Sequence, residues 1–140
     1  MFRDTYYDHL RRIPLFADLD RSELEMIAKM VTELHYSEGT VLFTEGTRGT
    51  EMFIVVEGVT EVTRERVYIA DIGPGGFAGE MALLTDSPRN STVTAKTDVQ
   101  VLHIDRRSFQ TMLQEAPRIA VKMLPVVARR AAANSQFAGH

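Results

Sequence analysis

Between residues 32 and 104, glycines and polar turn residues divide the chain into short runs of β-forming residues. The run at residues 41–43 lies between Gly39 and Gly46, and the run at residues 52–56 leads directly to Gly58. Strands this short and this regularly interrupted are typical of antiparallel sandwiches and barrels. We therefore predict a mainly β fold with flanking helices (α+β), built on an antiparallel jelly-roll barrel.

Helical patterns precede this β-rich region. Residues 2–13 predict a short helix that Pro14 ends, because proline cannot continue a helix. Asp20 and Glu23 then have the spacing of a capping box, in which each side chain accepts a hydrogen bond from the other residue's backbone N–H. Apolar residues follow at helical spacing, which predicts an amphipathic helix over residues 21–31.

Helical spacing returns at the C-terminal end. Asp105 is placed to cap one helix, and Pro117 lies in the first turn of another. Pro125 falls inside the second helix, where it removes a backbone hydrogen bond and predicts a bend. The bend is either a static kink or a hinge between two helix segments.

The length of 140 residues suits one domain and is short for two. We predict a single domain over residues 1–140. Its parts are an N-terminal helical segment (1–31), the β-barrel (32–104) and the C-terminal helices (105–136).

Composition excludes several classes of function. The net charge is −3, and the basic clusters are no more than pairs, which argues against direct nucleic-acid binding. The chain has no cysteine, so it forms neither disulfides nor thiolate metal sites. It also shows no signal-peptide core and no run long enough to span a bilayer. We expect a cytoplasmic protein without membrane insertion.

Residues 75–93 contain the groups best suited to bind a ligand. A glycine-rich turn precedes a stretch at residues 80–84 that can form one helical turn, whose first N–H groups lack partners within the helix. Arg89 can bind an anion through two parallel hydrogen bonds. Glu80 would repel a phosphate, so its carboxylate suits the hydroxyl groups of a ribose. Together these groups predict a sugar phosphate as ligand, whereas the simpler alternative is a surface turn in which Glu80 and Arg89 pair with each other.

Residues 77–84 and 88–93, read together, resemble the phosphate-binding cassette of cyclic-nucleotide-binding domains. That family includes the catabolite activator protein, the regulatory subunits of protein kinase A and cyclic-nucleotide-gated channels. Residues 13–16 and 53–58 are also similar to family segments, so that the resemblance covers roughly residues 10–135. It implies a β-barrel sensor that binds a cyclic nucleotide and performs no catalysis.

The resemblance also implies roles for individual residues. Glu80 would bind the ribose 2′-hydroxyl and Arg89 the cyclic phosphate, while the backbone N–H groups of Gly79, Ala82 and Asn90 would complete the phosphate site. The full expected ligand-binding set is Gly79, Glu80, Met81, Ala82, Arg89, Asn90 and Ser91.

The base is less well defined than the phosphate. The resemblance favours cyclic AMP (cAMP) as ligand, but Asn90 stands where cAMP binders often have Ala or Ser and many cyclic GMP (cGMP) binders have Thr. Its amide could contact the phosphate or a purine edge, which leaves cGMP as the alternative. Ser91 replaces a common Ala and adds a hydroxyl donor.

We predict that the C-terminal helices transmit ligand occupancy. The segment after Pro117 is expected to move toward the bound base, with Asn134 and Ser135 as candidate purine contacts. Small residues between positions 126 and 133 suit close helix packing, either against a second copy in a homodimer or against the chain's own barrel. Ligand occupancy would then pass to a partner or effector protein.

Two other classes remain as alternatives. One is a jelly-roll interaction or adaptor module without a ligand. The other is a metal-binding protein of the cupin type, which needs two histidines one residue apart; His9, His35, His103 and His140 show no such spacing. We expect His35 and His103 at strand edges, no metal site and no catalytic residues.

Overall fold

The computed structural model describes residues 2–138, and the side chains of residues 6–134 within that range. The described residues form two compact units. One unit is Met30–Phe109, and the other combines residues 2–29 with residues 110–138.

The helices lie where the sequence predicts them. Their bounds are α1 Phe2–Arg11, α2 Arg21–Met30, α3 Glu80–Thr85, α4 Arg106–Glu115 and α5 Pro117–Ala138, with a 3₁₀ turn at Pro14–Phe16. None of the helices in the described part of the chain is both long and apolar enough to cross a membrane.

Side-chain caps explain where two of these helices begin. The Glu23 N–H donates to the Asp20 carboxylate at 2.8 Å, and the Asp20 N–H donates to the Glu23 carboxylate at 3.0 Å. This is the predicted capping box. At the start of α4, the Ser108 N–H donates to the Asp105 carboxylate at 2.7 Å. Both caps use backbone donors that have no partner within their helix.

In the helical unit, two basic residues of α5, one helical turn apart, contact the 3₁₀ turn and Asp18 just after it. Lys122 Nζ donates to the Pro14 carbonyl at 2.7 Å and lies 2.9 Å from the Asp18 carboxylate. Arg118 donates to the Asp18 carbonyl at 2.8 Å. The hydrogen bond and the charge of Lys122 lower the pKa of Asp18. These contacts fix the N-terminal half of α5, and the helix runs on through Pro125.

The second unit is built from two four-stranded antiparallel sheets, ordered β1-β8-β3-β6 and β2-β7-β4-β5. Because non-consecutive strands pair, each sheet combines strands that are distant in the sequence. The predicted mainly β fold with flanking helices is therefore confirmed. The strands are β1 Thr32–Tyr36, β2 Val41–Phe43, β3 Glu51–Glu57, β4 Thr60–Arg64, β5 Val67–Ile72, β6 Phe77–Ala78, β7 Thr92–Ala95 and β8 Val99–Asp105.

The core of this unit draws side chains from both sheets. The Phe43 ring, from one sheet, stacks on the Phe53 ring, from the other, with centroids 6.2 Å apart. Val55 and Val101 join the core from the β1-β8-β3-β6 sheet and Val93 from the other. Burial of these apolar side chains stabilises the unit.

His103 departs from its predicted place. It lies on β8, which is an inner strand, and it pairs with Thr32 on one side and Phe53 on the other. His35 does lie on an edge strand, β1. The difference arises because the C-terminal strand inserts between two earlier strands, and local sequence carries no signal of that order.

Candidate functional site

The predicted ligand-binding segment begins with a sharp turn at Gly79, between β6 and α3. Gly79 has a φ of +92°, a conformation that side chains disfavour. A Cβ there would lie 2.7 Å from Arg89 Nη1 and 3.0 Å from the Glu51 carbonyl oxygen. Glycine is therefore required both for the turn and for the close approach of Arg89.

Arg89 follows α3 in a stretch without regular secondary structure, and the loop between β2 and β3 holds its backbone. The Arg89 N–H donates to the Thr47 carbonyl at 2.8 Å, and the Gly46 N–H donates to the Arg89 carbonyl at 2.8 Å. A β-bridge joins the neighbouring residues Arg48 and Pro88. These bonds direct the Arg89 side chain inward.

The Arg89 side chain is buried, with the residue only 4% exposed. Its Nη1 donates to the Gly79 carbonyl at 3.0 Å, and its Nη2 donates to the Glu51 carbonyl at 2.7 Å. Nη2 also lies 3.5 Å from the Glu51 carboxylate, and the guanidinium sits 4.0 Å from the centroid of the Phe43 ring. Its Nε has no hydrogen-bond partner among the residues that the structure describes. Buried donors are nearly always satisfied in proteins, so this atom suits a bound anion.

The electrostatic environment of Arg89 also favours a bound anion. Burial lowers the pKa of the Arg89 guanidinium, and the carboxylates of Glu51 and Glu80 act in the opposite direction. The positive charge of Arg106 lowers this pKa further. The site thus keeps a buried cation beside a second one, an arrangement that an incoming phosphate would stabilise.

Gly49 connects the two cations. A Cβ on Gly49 would lie 2.4 Å from the Ala82 Cβ and 3.2 Å from the Arg89 Cζ. The Gly49 carbonyl accepts from Arg106 Nη2 at 2.9 Å, and Arg106 Nη1 donates to the Leu83 carbonyl at 3.3 Å. Helix α3 therefore packs on Gly49 and is held to the start of α4.

Glu80 is the first residue of α3 and only 1% exposed. Because both Glu80 and Arg89 are buried, the segment is not the exposed surface turn of the simpler alternative. A buried carboxylate at this position can accept hydrogen bonds from ligand hydroxyls.

The remaining predicted residues differ in their exposure. Ala82 and Ser91 are buried, Met81 is half-buried and Asn90 is exposed. Asn134 lies in α5, in the other unit, and is half-buried; the side chain of Ser135 lies outside the described residues. The structure thus brings Gly79, Glu80 and Arg89 together, while a purine contact by Asn134 or Ser135 stays a prediction.

Sequence reasoning missed the residues that hold Arg89 from elsewhere in the chain. Glu51 is 38 residues away, and Phe43 comes from a different sheet. Only Gly49 carries a local signal, because a glycine just ahead of a strand can mark a close approach. Among the residues that the structure describes, no cluster of His, Asp or Glu could hold a metal ion.

Known proteins resemble this chain over most of its length. The family model of the cyclic nucleotide-binding domain matches residues 33–116. A cAMP-dependent protein kinase regulatory subunit of Yarrowia lipolytica is 36% identical over 113 residues, which cover 79% of this chain and 30% of the relative. The chain therefore spans about 30% of the length of that relative.

Two solved structures extend the likeness to the whole fold. PKAR CBD2 with bound Sp-2Cl-cAMPS has a TM-score of 0.77 at 26% identity, covering 96% of this chain and 87% of that one. The regulatory subunit of a cAMP-independent protein kinase A from Trypanosoma cruzi, bound to guanosine, has a TM-score of 0.76 at 28% identity, covering 86% of this chain and 44% of that one.

Proposed function

The chain belongs to the cyclic nucleotide-binding domain family, and on that premise we propose that it is a cytoplasmic sensor that binds cAMP without catalysis. Membership of this family supports the resemblance of residues 77–84 and 88–93 to the family's phosphate-binding cassette. We further propose that residues 1–140 act as one domain and that ligand occupancy is passed to a partner or effector protein.

The observation that carries the proposal is the buried Arg89 guanidinium. It is held by two carbonyls and the Glu51 carboxylate, and its Nε remains available to an anion. Gly79 allows the chain to approach it closely, and buried Glu80 lies at the start of the adjoining helix. A cyclic phosphate would accept a hydrogen bond from the Arg89 Nε, and the Glu80 carboxylate can accept one from a ribose hydroxyl.

The buried positive charge of Arg89 also bears on which ligand the site would bind. The relative from Trypanosoma cruzi binds guanosine, which has no phosphate, whereas PKAR CBD2 binds a cAMP analogue. A nucleoside has no phosphate to accept a hydrogen bond from the buried Nε of Arg89, so we favour a cyclic nucleotide. Because of Asn90, cGMP remains the alternative ligand.

Calorimetric titration of the purified protein tests the proposal. We expect cAMP to bind with a Kd of about 1 μM or tighter, and linear 5′-AMP and guanosine to bind much more weakly. A preference for cGMP would change the base of the proposed ligand and leave the rest of the proposal as it is. Failure of both cyclic nucleotides would contradict the proposal and favour an adaptor role, and a preference for guanosine would identify a nucleoside site.

The role of Glu80 has its own test. Glu80→Gln should weaken cAMP binding about tenfold, because an amide accepts hydrogen bonds less strongly than a carboxylate. Wild type should discriminate against 2′-deoxy-cAMP, and the variant should discriminate clearly less. Additive losses from the variant and the deoxy ligand would show that Glu80 and the 2′-hydroxyl do not interact.

Transmission of ligand occupancy through residues 105–136 remains a proposal. Helix α5 exposes Val121 and Leu124, at 65% and 60%, and this apolar surface suits packing against a partner helix, including that of a second copy. Ligand should shift the population of two α5 arrangements.

We expect cAMP to slow hydrogen exchange over residues 117–136, and unchanged exchange there would contradict transmission through α5. Sedimentation velocity with and without ligand reports whether the partner is a second copy.

A further inference from the structure

Both peptide groups that flank Asn90 are anchored through their carbonyl oxygens. The Arg89 carbonyl accepts from the Gly46 N–H at 2.8 Å, and the Asn90 carbonyl accepts from Arg64 Nε at 2.7 Å. In a trans peptide the N–H points opposite to the C=O. The N–H groups of Asn90 and Ser91 are therefore fixed on the side away from these two anchors.

Arg64 is itself held in place by the turn that follows it. It ends β4, and the two-residue turn to β5 places Glu65 and Arg66 at φ values of 52° and 68°. Such a turn favours Asn-Gly, so larger residues here need outside support. The Glu65 N–H receives that support from the Glu45 carboxylate, at 3.0 and 3.2 Å from its two oxygens.

Glu45 also reaches the far end of the ligand-binding segment. Its own N–H donates to the Thr92 hydroxyl at 3.0 Å, and that hydroxyl lies 3.4 Å from the Glu45 carboxylate. The β4–β5 turn and the start of β7 are thus joined through one residue. Asn90 and Ser91 lie between these fixed points.

We propose that Arg64 is a positioning residue of the binding site, acting through the carbonyl of Asn90. By fixing that peptide, Arg64 sets the direction of the Ser91 N–H and the place of the Asn90 side chain. This makes it a determinant of affinity and of the choice between cAMP and cGMP. The inference rests on the proposed function, because residue 90 is where base choice is expected to be made.

The hydrogen bond from Arg64 to Asn90 is exposed, so its loss should affect ligand binding more than folding. Arg64→Ala should weaken cAMP binding about fivefold to tenfold, since a charge-assisted hydrogen bond no longer preorganises the peptide. The ratio of the cAMP and cGMP affinities should move toward one. The midpoint of urea unfolding should stay close to that of wild type.

Arg64→Lys separates positioning from charge. Lysine keeps the positive charge but lacks the planar fork that places Nε–H at the carbonyl, so it should behave like the alanine variant. Wild-type affinity in Arg64→Lys would overturn the proposal, because attraction of the anionic ligand would then explain the effect. Arg66→Ala removes an equal charge from the same turn and should leave affinity unchanged. A loss of affinity accompanied by an equal loss of stability would also overturn it.

Amide NMR of the ligand-free protein tests the anchor independently of binding. Arg64→Ala should shift or broaden the amide signals of Asn90 and Ser91 and leave that of Gly39 unchanged. Unchanged signals at both residues would refute the positioning role. If these signals do move while wild type binds no cyclic nucleotide, the proposed function fails and the anchor stands.

Discussion

Arg89→Ala should weaken the affinity for cAMP by at least about a hundredfold. The residue is only 4% exposed, and without its guanidinium a bound phosphate would lose the buried cation that takes the place of its hydrating water. Removing one partner of a buried ion pair costs about 3–5 kcal/mol, and about 1.4 kcal/mol corresponds to a tenfold change in affinity. Calorimetric titration of the variant with cAMP measures the loss directly.

Two further variants make that result specific. Arg12→Ala removes an equal charge from an exposed position in the other unit and should leave binding unchanged. Arg89→Lys keeps the charge but loses the paired donors, and should recover only part of the affinity. Because Arg89→Ala also leaves the Glu51 carboxylate without this partner, urea unfolding should confirm that the variant is folded. An affinity within about threefold of wild type, in a folded variant, would exclude Arg89 as the phosphate ligand.

Gly79→Ala should damage both stability and binding. The backbone conformation at φ +92° costs about 1–2 kcal/mol for a residue with a Cβ. The new Cβ would also lie 2.7 Å from Arg89 Nη1, so the guanidinium has to move away from its carbonyl acceptors. We expect cAMP affinity to fall more than about tenfold, because about 1.4 kcal/mol of lost positioning is enough for that change.

Gly39 offers a matched control for the backbone effect. Its φ is +88°, and a Cβ there would meet nothing within 4 Å. Gly39→Ala should therefore show the backbone penalty in urea unfolding without a loss of cAMP affinity. If the two variants lost equal stability and bound cAMP equally well, crowding against Arg89 would not matter and the close packing at Gly79 would have no role in binding.

The features that the sequence predicts correctly are mostly local. The capping box of Asp20 and Glu23 needs only residues three apart, and glycines such as Gly39 and Gly46 mark turns by their own conformational freedom. The candidate ligand-binding segment could be proposed from the sequence because Gly79, Glu80 and Arg89 lie within 11 residues of one another. In each case the residues responsible lie close together in the sequence, so a local pattern is enough to reveal them.

The features that sequence reasoning missed depend on which strands become neighbours. Glu51 meets Arg89 only because β3 passes beside the turn at Gly79, and Phe43 reaches the guanidinium from the second sheet. His103, expected at a strand edge, lies on β8, which is an inner strand. Pairing between distant strands is set by the whole core, and a single segment does not reveal it.

The inner position of β8 also fixes the order of events during synthesis. β1 and β3 leave the ribosome well before β8, yet each pairs with β8 in the finished sheet. Until residues 99–105 emerge, both strands have unpaired edges, which invite association with other chains. A nascent chain that stops before residue 99 should therefore aggregate, because β1 and β3 lack the strand that pairs with both of them.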